Sequence, residues 1–293
     1  MVAPVAGEEG WRSLVRPYGM EMQGETPMDA QKTRVLPEQI DTGTPHSARV
    51  WNFWLGGRDN YAVDRALGAR LGKSYPQIVD IARESRRFQT RAVRHVARQW
   101  GIRQFLDLGT GLPTADATHE TAQDVDPGAR IVYVDNDPIV LAHARALLVG
   151  HPDGVTTYVH ADFGDAETVL AEAATALDRE RPVAVMLLST LGHITDDDRA
   201  AGLIRAYLGA FPPGSALILC DTVETPETRA ASEDYASGGA APYVSRPAET
   251  LRSFGDGLEL VDPGFGSISL WRPDAPPSGT PVDQWGFVGI TTP

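Results

Sequence analysis

The chain has 293 residues, 42% hydrophobic and 22% charged, a composition typical of one large folded domain with a buried core. Its formal net charge of −13 disfavours binding to nucleic-acid backbones without a local basic patch. The single cysteine, Cys220, excludes an intrachain disulfide and any site built from several thiolates. No apolar run is long enough to cross a bilayer, and the first residues lack a signal-peptide pattern. The sequence therefore predicts a soluble cytoplasmic protein.

The composition and apolar periodicity of the chain change twice, which predicts three parts. Residues 1–44 carry scattered prolines and no sustained apolar period, as expected of a flexible leader. Residues 45–100 predict a helical cap, with one helix over residues 47–55 that ends at a Gly-Gly pair and a second helix from about 76 to 100. Residues 101–293 form the third part.

In this third part, short apolar runs alternate with helical stretches. Five runs, at 104–108, 130–135, 157–160, 183–188 and 216–221, are separated by helical patterns near 114–124, 137–149, 165–180 and 196–210. Such alternation implies parallel strands joined by right-handed crossovers. Three later runs, at 258–261, 267–271 and 285–290, have no helices between them. The pattern predicts an α/β fold with a doubly wound, mostly parallel seven-stranded sheet, a C-terminal antiparallel hairpin and the N-terminal helical cap.

The loop after the first strand is the most informative motif. Asp107 ends an apolar run and is followed by Gly109, Thr110 and Gly111, whose glycines allow the backbone to approach a ligand closely. In a doubly wound sheet, ligands bind at this edge. A dinucleotide fingerprint would place a third glycine at position 114, where the sequence has Thr114, so a nicotinamide or flavin cofactor is disfavoured.

The next two strands also end in acids. Asp135, followed by Asn136, lies about two dozen residues beyond the glycine turn, where a carboxylate can accept both hydrogen bonds of a ribose diol. Asp162 and Phe163 follow the third strand and could bond the amine of an adenine and stack on its ring. Each feature alone is weak evidence, but three acid-tipped strand ends in consecutive units indicate a nucleoside site.

Longer motifs strengthen this interpretation. The segments SARVWNFWLGGRDNY (47–61), FLDLGTGLPT (105–114), VYVDNDP (132–138) and WRPD (271–274) resemble those of class I S-adenosylmethionine-dependent methyltransferases. More closely, they resemble the actinobacterial S-adenosylmethionine methyltransferase family long catalogued as a domain of unknown function. The resemblance spans roughly residue 45 to the end.

The resemblance implies a Rossmann-like sheet with S-adenosylmethionine across its switch point. It places Asp107, Gly109, Thr110 and Gly111 at the methionine end, Asp135 at the ribose, Asn136 beside the adenine, Asp162 and Phe163 around the base, and Ser189 under the sulfonium. It does not name an acceptor. The sequence from Ser189 to His193 lacks the Asn/Asp-Pro-Pro-aromatic signature of enzymes that methylate nucleic-acid bases.

Methyl transfer needs alignment above all, and a general base only where the acceptor loses a proton. His193, just past the fourth strand, is the candidate base; the alternative is that it caps a turn or packs under the next helix. Asn60 and Tyr61 are predicted to fold over the cofactor; the alternative is an ordinary helix–helix connection. Residues 224–256 form either a wall of the acceptor site or a plain surface loop.

The remaining polar clusters predict no further site. Six arginines between residues 83 and 98 indicate a solvated helix face, no acid or histidine cluster has metal-ligand spacing, and Cys220 is expected to be a small core residue. We therefore predict methyl transfer from S-adenosylmethionine to a small molecule, with secondary metabolism as the context. Two alternatives stay open: a cofactor-binding sensor or partner subunit without transferase activity, and a nicotinamide-dependent oxidoreductase.

Overall fold

A computed structural model describes residues 40–113, 116–147, 150–276 and 279–293. Most of the predicted leader, as well as Thr114, lies outside these residues. Within this part of the chain, three helices precede the sheet: α1 (Ser47–Trp54), α2 (Ala62–Ser74) and α3 (Gln77–Gln99). The boundary predicted at residue 100 falls between the end of α3 and the first strand.

A mostly parallel sheet follows. Its strands are β1 (Gln104–Leu108), β2 (Arg130–Asp135), β3 (Val155–His160), β4 (Ala184–Leu188), β5 (Ala216–Thr222), β6 (Leu258–Leu260), β7 (Gly266–Ser267) and β8 (Gln284–Thr291). The order is β3-β2-β1-β4-β5-β8-β6, with the two-residue β7 paired to β8. Strands β1 to β5 pair in parallel, whereas β8 runs antiparallel between β5 and β6. The α/β class and the Rossmann-like sheet with its antiparallel C-terminal strands are confirmed, with β7 as an addition to the seven-strand path.

Helices cover both faces of this sheet. Those after β1 are α4 (Thr118–Val125), α5 (Pro138–Leu147), α6 (Ala166–Ala173), α7 (Asp197–Leu208), α8 (Pro226–Ser237) and α9 (Ala248–Ser253). Alternate residues of β1 enter opposite cores: Phe105 belongs to the cluster that contains Phe88 of α3, and Leu106 to the cluster that contains Tyr207 of α7. Both faces are therefore buried, which explains why the central strands read as continuous apolar runs.

Arg49 holds the N-terminal helices together and links them to α5. Its side chain is buried and donates hydrogen bonds to the backbone carbonyls of Asp41 (2.7 Å) and Thr44 (2.8 Å). Its Nε lies 3.6 Å from the carboxylate of Asp64 in α2 and 3.5 Å from that of Asp137, which precedes α5. One cation thus balances two buried carboxylates. In such an arrangement, removal of one partner lowers the free energy of unfolding strongly.

The secondary structure differs from the sequence prediction in three places. Helix α2 was not predicted because only two of its large apolar side chains, Leu67 and Leu71, are buried. Residues 224–256 contain α8 and α9 rather than an irregular loop. Residues 267–271, predicted as a strand, contain one strand residue followed by the 3-10 turn Ile268–Leu270.

Candidate active site

A cavity of about 280 Å³ opens at the carboxyl ends of β1 to β4. The strand order reverses between β1 and β4, and this switch point is where doubly wound sheets bind ligands. Ten of the twelve predicted site residues line the cavity, namely Asp107, Gly109, Thr110, Gly111, Asp135, Asn136, Asp162, Phe163, Ser189 and His193.

The glycine turn after β1 depends on backbone conformations that glycine adopts readily. Gly109 and Gly111 have φ of +68° and +67°, in the left-handed region. A Cβ at Gly109 would also collide with the hydroxyl of Thr190, which follows β4. The amides of Gly109 and Thr110 donate to the Val134 carbonyl at 2.8 and 3.2 Å. The turn is therefore fixed to β2 and leaves its surface open to a ligand.

Asp107 provides a buried carboxylate at the base of this turn. Burial raises its pKa to about 6, although a hydrogen bond from Thr118 and the charge of Arg86 oppose the shift. Thr118 donates to the carboxylate at 2.7 Å and is itself held by Gln89 Nε2 at 2.7 Å. The Arg86 guanidinium donates to the Thr110 carbonyl at 3.2 Å. A buried carboxylate fixed in this way suits a cationic ligand group such as an ammonium.

Asp135, at the end of β2, is held by two backbone amides. Gly111 donates to Oδ2 at 2.8 Å and Asp137 donates to Oδ1 at 2.9 Å. Each carboxylate oxygen has a second acceptor position, so both can still receive the hydroxyls of a diol. Burial raises the pKa of Asp135 despite these two bonds. Asn136, the next residue, also lines the cavity.

The loop after β3 forms the opposite wall. The Asp162 carboxylate accepts a 2.7 Å bond from the Gly164 amide within its own turn. The Phe163 carbonyl accepts a 2.6 Å bond from the Tyr207 hydroxyl of α7, which fixes the backbone behind the ring. An acid and an aromatic ring at one wall fit the amine and the face of an adenine.

Ser189 lies at the floor of the cavity with a φ of +60°, a rare conformation for a residue with a Cβ. Its amide donates to the Cys220 carbonyl at 2.8 Å. Its hydroxyl receives a 2.8 Å bond from Gln284 Nε2 and lies 3.2 Å from the hydroxyl of Ser85. Bonds from β8 and α3 therefore hold an otherwise unfavourable backbone at the gap between β1 and β4.

His193 ends the 3-10 turn Leu191–His193. Its Nδ1 lies 2.8 Å from the Pro242 carbonyl, and since a carbonyl only accepts, the proton resides on Nδ1. In this tautomer Nε2 carries the lone pair. Burial lowers the pKa of the imidazole, which favours the neutral form. The ring meets Tyr243 edge-on, with centroids 5.2 Å apart.

Asn60 and Tyr61 do not join this constellation, in contrast to the sequence prediction. The Asn60 side-chain amide donates to Asn52 Oδ1 at 2.8 Å and to the Gly57 carbonyl at 3.0 Å. The Tyr61 ring lies under the Arg49 guanidinium at 5.3 Å. Both residues build the turn into α2, and neither lines the cavity.

Helices α1 and α3 contribute wall residues that the sequence analysis did not select: His46, Ser47, Ala48, Trp51, Ser85, Arg86 and Gln89. The sequence carried a signal for two of these residues, because Ser85 and Gln89 are polar side chains buried among the apolar residues of α3.

The prediction of a solvated arginine face on α3 is wrong for Arg91. This side chain is buried and donates to the Ile268 and Trp271 carbonyls at 2.7 and 2.9 Å.

Two other features are absent from the described part of the chain. There, no group of three or more His, Cys, Asp or Glu side chains could hold a metal ion. Among the same residues, no helix has the length and apolarity required to span a bilayer.

Fold and site together define a nucleoside-binding protein of the Rossmann-like class. The model of the S-adenosyl methyltransferase family matches residues 33–292, so the chain belongs to that family and S-adenosyl-L-methionine is its cofactor. The carboxylates of Asp107 and Asp135 fit the ammonium and ribose of this molecule. The nicotinamide alternative is thereby disfavoured.

Two solved structures are similar over most of the chain. A DUF574 family protein from Streptomyces avermitilis shares 37% identity, with a TM-score of 0.83 over 86% of this chain and 100% of that one. A proposed methyltransferase from Thermobifida fusca also shares 37% identity, with a TM-score of 0.80 over 85% of this chain and 96% of that one. No functionally curated protein matches the sequence.

Proposed function

We propose that this protein transfers the methyl group of S-adenosylmethionine to a small-molecule acceptor of secondary metabolism in the cytoplasm. The observation that carries the proposal is the convergence of four consecutive strand ends on one cavity, with His193 at its wall. The cofactor supplies a methyl group on a sulfonium whose leaving group is already activated. The net charge of −13 supports a small acceptor over a nucleic acid.

Three carboxylates hold the cofactor in this proposal. Asp107 pairs with the methionine ammonium, Asp135 accepts the ribose hydroxyls, and Asp162 accepts the adenine amine beside the Phe163 ring. Because the glycine turn and Ser189 are fixed by backbone bonds, the chain aligns the cofactor without rearranging. Alignment of this kind accounts for much of the rate in a displacement reaction.

His193 acts as general base for an acceptor that must lose a proton, an oxygen or an acidic carbon. Nδ1 donates to the Pro242 carbonyl, which orients the ring and leaves the Nε2 lone pair for the acceptor proton. Because burial lowers the pKa of this imidazole, it stays neutral, and able to accept a proton, at pH values above its ordinary value of 6.5 and somewhat below it.

Replacement of His193 by Gln tests this role. We expect methyl transfer, measured as release of S-adenosylhomocysteine across a panel of hydroxylated acceptors, to fall by about 10²- to 10⁴-fold. The acidic limb of the pH–rate profile should disappear, while calorimetric affinity for S-adenosylhomocysteine stays as in the wild type. His151→Gln, a change of an exposed histidine outside the cavity lining, is the matched control. An unaltered rate and pH profile in His193→Gln would remove His193 from the mechanism.

A cofactor-binding sensor or partner subunit without transfer would need no general base. It would bind S-adenosylhomocysteine as expected yet release none from S-adenosylmethionine with any acceptor. Turnover with any member of the acceptor panel excludes this alternative.

A further inference from the structure

A second, smaller cavity of about 60 Å³ adjoins the cofactor cavity. It lies among helices α1, α2, α3 and α8 and the loop that carries Tyr243. Trp51 and His193 line both cavities, so a molecule in the smaller one lies directly beside the proposed base. The segment 224–256, for which the sequence left open a wall or a surface loop, supplies Ala231, Tyr235 and Tyr243 to this lining.

The walls of the smaller cavity are aromatic and aliphatic. Trp51 and Trp54 meet edge to face, with centroids 5.8 Å apart, and Leu71 and Ile78 close another side. Side chains of this kind bury aromatic rings favourably, through both apolar area and ring–ring geometry.

Three of the hydroxyl groups that line this cavity are already engaged within the protein. Tyr75 lies 2.9 Å from Gln77 Oε1 and 3.0 Å from Asp283 Oδ2. The Tyr243 hydroxyl donates to the Asp221 carboxylate, and the Thr228 hydroxyl donates to the Val223 carbonyl at 2.8 Å. These three groups therefore turn their hydrogen-bonding capacity away from the cavity. The buried Tyr235 hydroxyl has no hydrogen-bond partner among the described residues, but the rest of the lining makes a strongly polar occupant unfavourable.

The size of the cavity limits the occupant. One water needs about 10–15 Å³ on this measure, so 60 Å³ holds about four to six water-sized atoms. That is the size of a single six-membered ring. A two-ring compound exceeds it unless a wall residue is shortened.

We propose that this cavity is the acceptor subsite and that it takes a single aromatic ring whose hydroxyl points to His193 Nε2. This inference rests on the proposed function and names its substrate class. In the transfer, the acceptor O–H proton moves to Nε2, the oxygen forms the new bond to the methyl carbon, and the sulfur–methyl bond breaks to leave neutral S-adenosylhomocysteine. The positive charge of the sulfonium is thereby replaced by that of the imidazolium.

The test uses 4-fluorophenol as probe, observed by fluorine NMR with the protein saturated in S-adenosylhomocysteine. Ala231→Phe fills the cavity from α8, and Ala230→Phe adds the same ring on the exposed side of that helix. We expect saturable binding to the wild type and to Ala230→Phe, and at least a tenfold loss in Ala231→Phe. Unchanged S-adenosylhomocysteine affinity and thermal unfolding would show that Ala231→Phe is folded.

A second variant should gain affinity for a larger probe instead of losing affinity for the small one. Ile78→Ala enlarges the cavity, so 2-naphthol should bind this variant at least tenfold more tightly than the wild type. No saturable 4-fluorophenol binding to the wild type, or equal binding to Ala230→Phe and Ala231→Phe, overturns the subsite.

Failure of the proposed function and failure of the subsite would give different results. Methyl transfer that proceeds equally in both phenylalanine variants overturns the subsite while the function stands. Site-specific probe binding with no methyl transfer to any acceptor supports the subsite and refutes the function.

Discussion

Replacing Asp107 by Asn should strengthen the fold at neutral pH while weakening cofactor binding. The carboxyl is buried and its pKa is raised to about 6 from an ordinary value of 3.8, so folding favours its protonated form. Stability from this group is therefore fully present below about pH 4 and is lost as the pH rises towards and through 6. Asn has nearly the same shape, accepts the Thr118 bond and cannot ionise.

The magnitude follows from the shift of about two pKa units. At about 1.4 kcal/mol per unit, the ionised carboxylate costs the cofactor-free protein about 3 kcal/mol at pH 7. Asp107→Asn should raise the free energy of unfolding by up to that amount at pH 7 and by almost nothing near pH 4. Loss of a charged partner for the methionine ammonium should weaken binding by about 1.5–3 kcal/mol, or roughly 10- to 150-fold.

Urea unfolding at several pH values between 4.5 and 7.5 measures the first effect, and titration with S-adenosylhomocysteine measures the second. Asp256→Asn, at an exposed position remote from the cavity lining, is the matched control and should change neither. A stability difference between wild type and Asp107→Asn that does not vary with pH, or an unchanged cofactor affinity, would contradict the role given to Asp107.

Two further substitutions test the supports of the site. Gly109→Ala should lower both cofactor affinity and the free energy of unfolding by at least about 1–2 kcal/mol, the cost of a left-handed residue with a Cβ. Adding Thr190→Ala should remove the collision with the new Cβ but not the cost of the left-handed backbone. Full recovery of affinity and stability in the double variant would contradict this separation of the two costs. Arg49→Met should cost about 3–5 kcal/mol in urea unfolding, because Asp64 and Asp137 lose their shared cation; a loss below about 1 kcal/mol would show that neither depends on it.

The strand ends were predictable because two local signals coincide there. Buried parallel strands read as apolar runs, and the residues that follow them necessarily meet at one edge of the sheet. Asp107, Asp135 and Asp162 could therefore be placed together from their positions alone, and His193 from its distance past β4.

Other features depended on contacts that a local pattern does not encode. The alternation over residues 267–271 favoured a strand, but the carbonyls of Ile268 and Trp271 accept bonds from the Arg91 side chain. The polar segment before α2 was predicted to fold over the cofactor, but the Asn60 side-chain amide donates to Asn52 and Gly57 instead. In both cases side-chain hydrogen bonds, not periodicity, decide the local structure.

In the proposed function, the cavity at the ends of β1 to β4 holds S-adenosylmethionine with its adenine at the loop after β3. The most direct measurement is calorimetric titration of S-adenosylhomocysteine and of NAD into wild type, Asp162→Ala and the exposed control Asp153→Ala. We predict binding of S-adenosylhomocysteine but not NAD, weakened about tenfold or more in Asp162→Ala and unchanged in Asp153→Ala. Equal affinity in all three proteins, or competition by NAD, would contradict this placement.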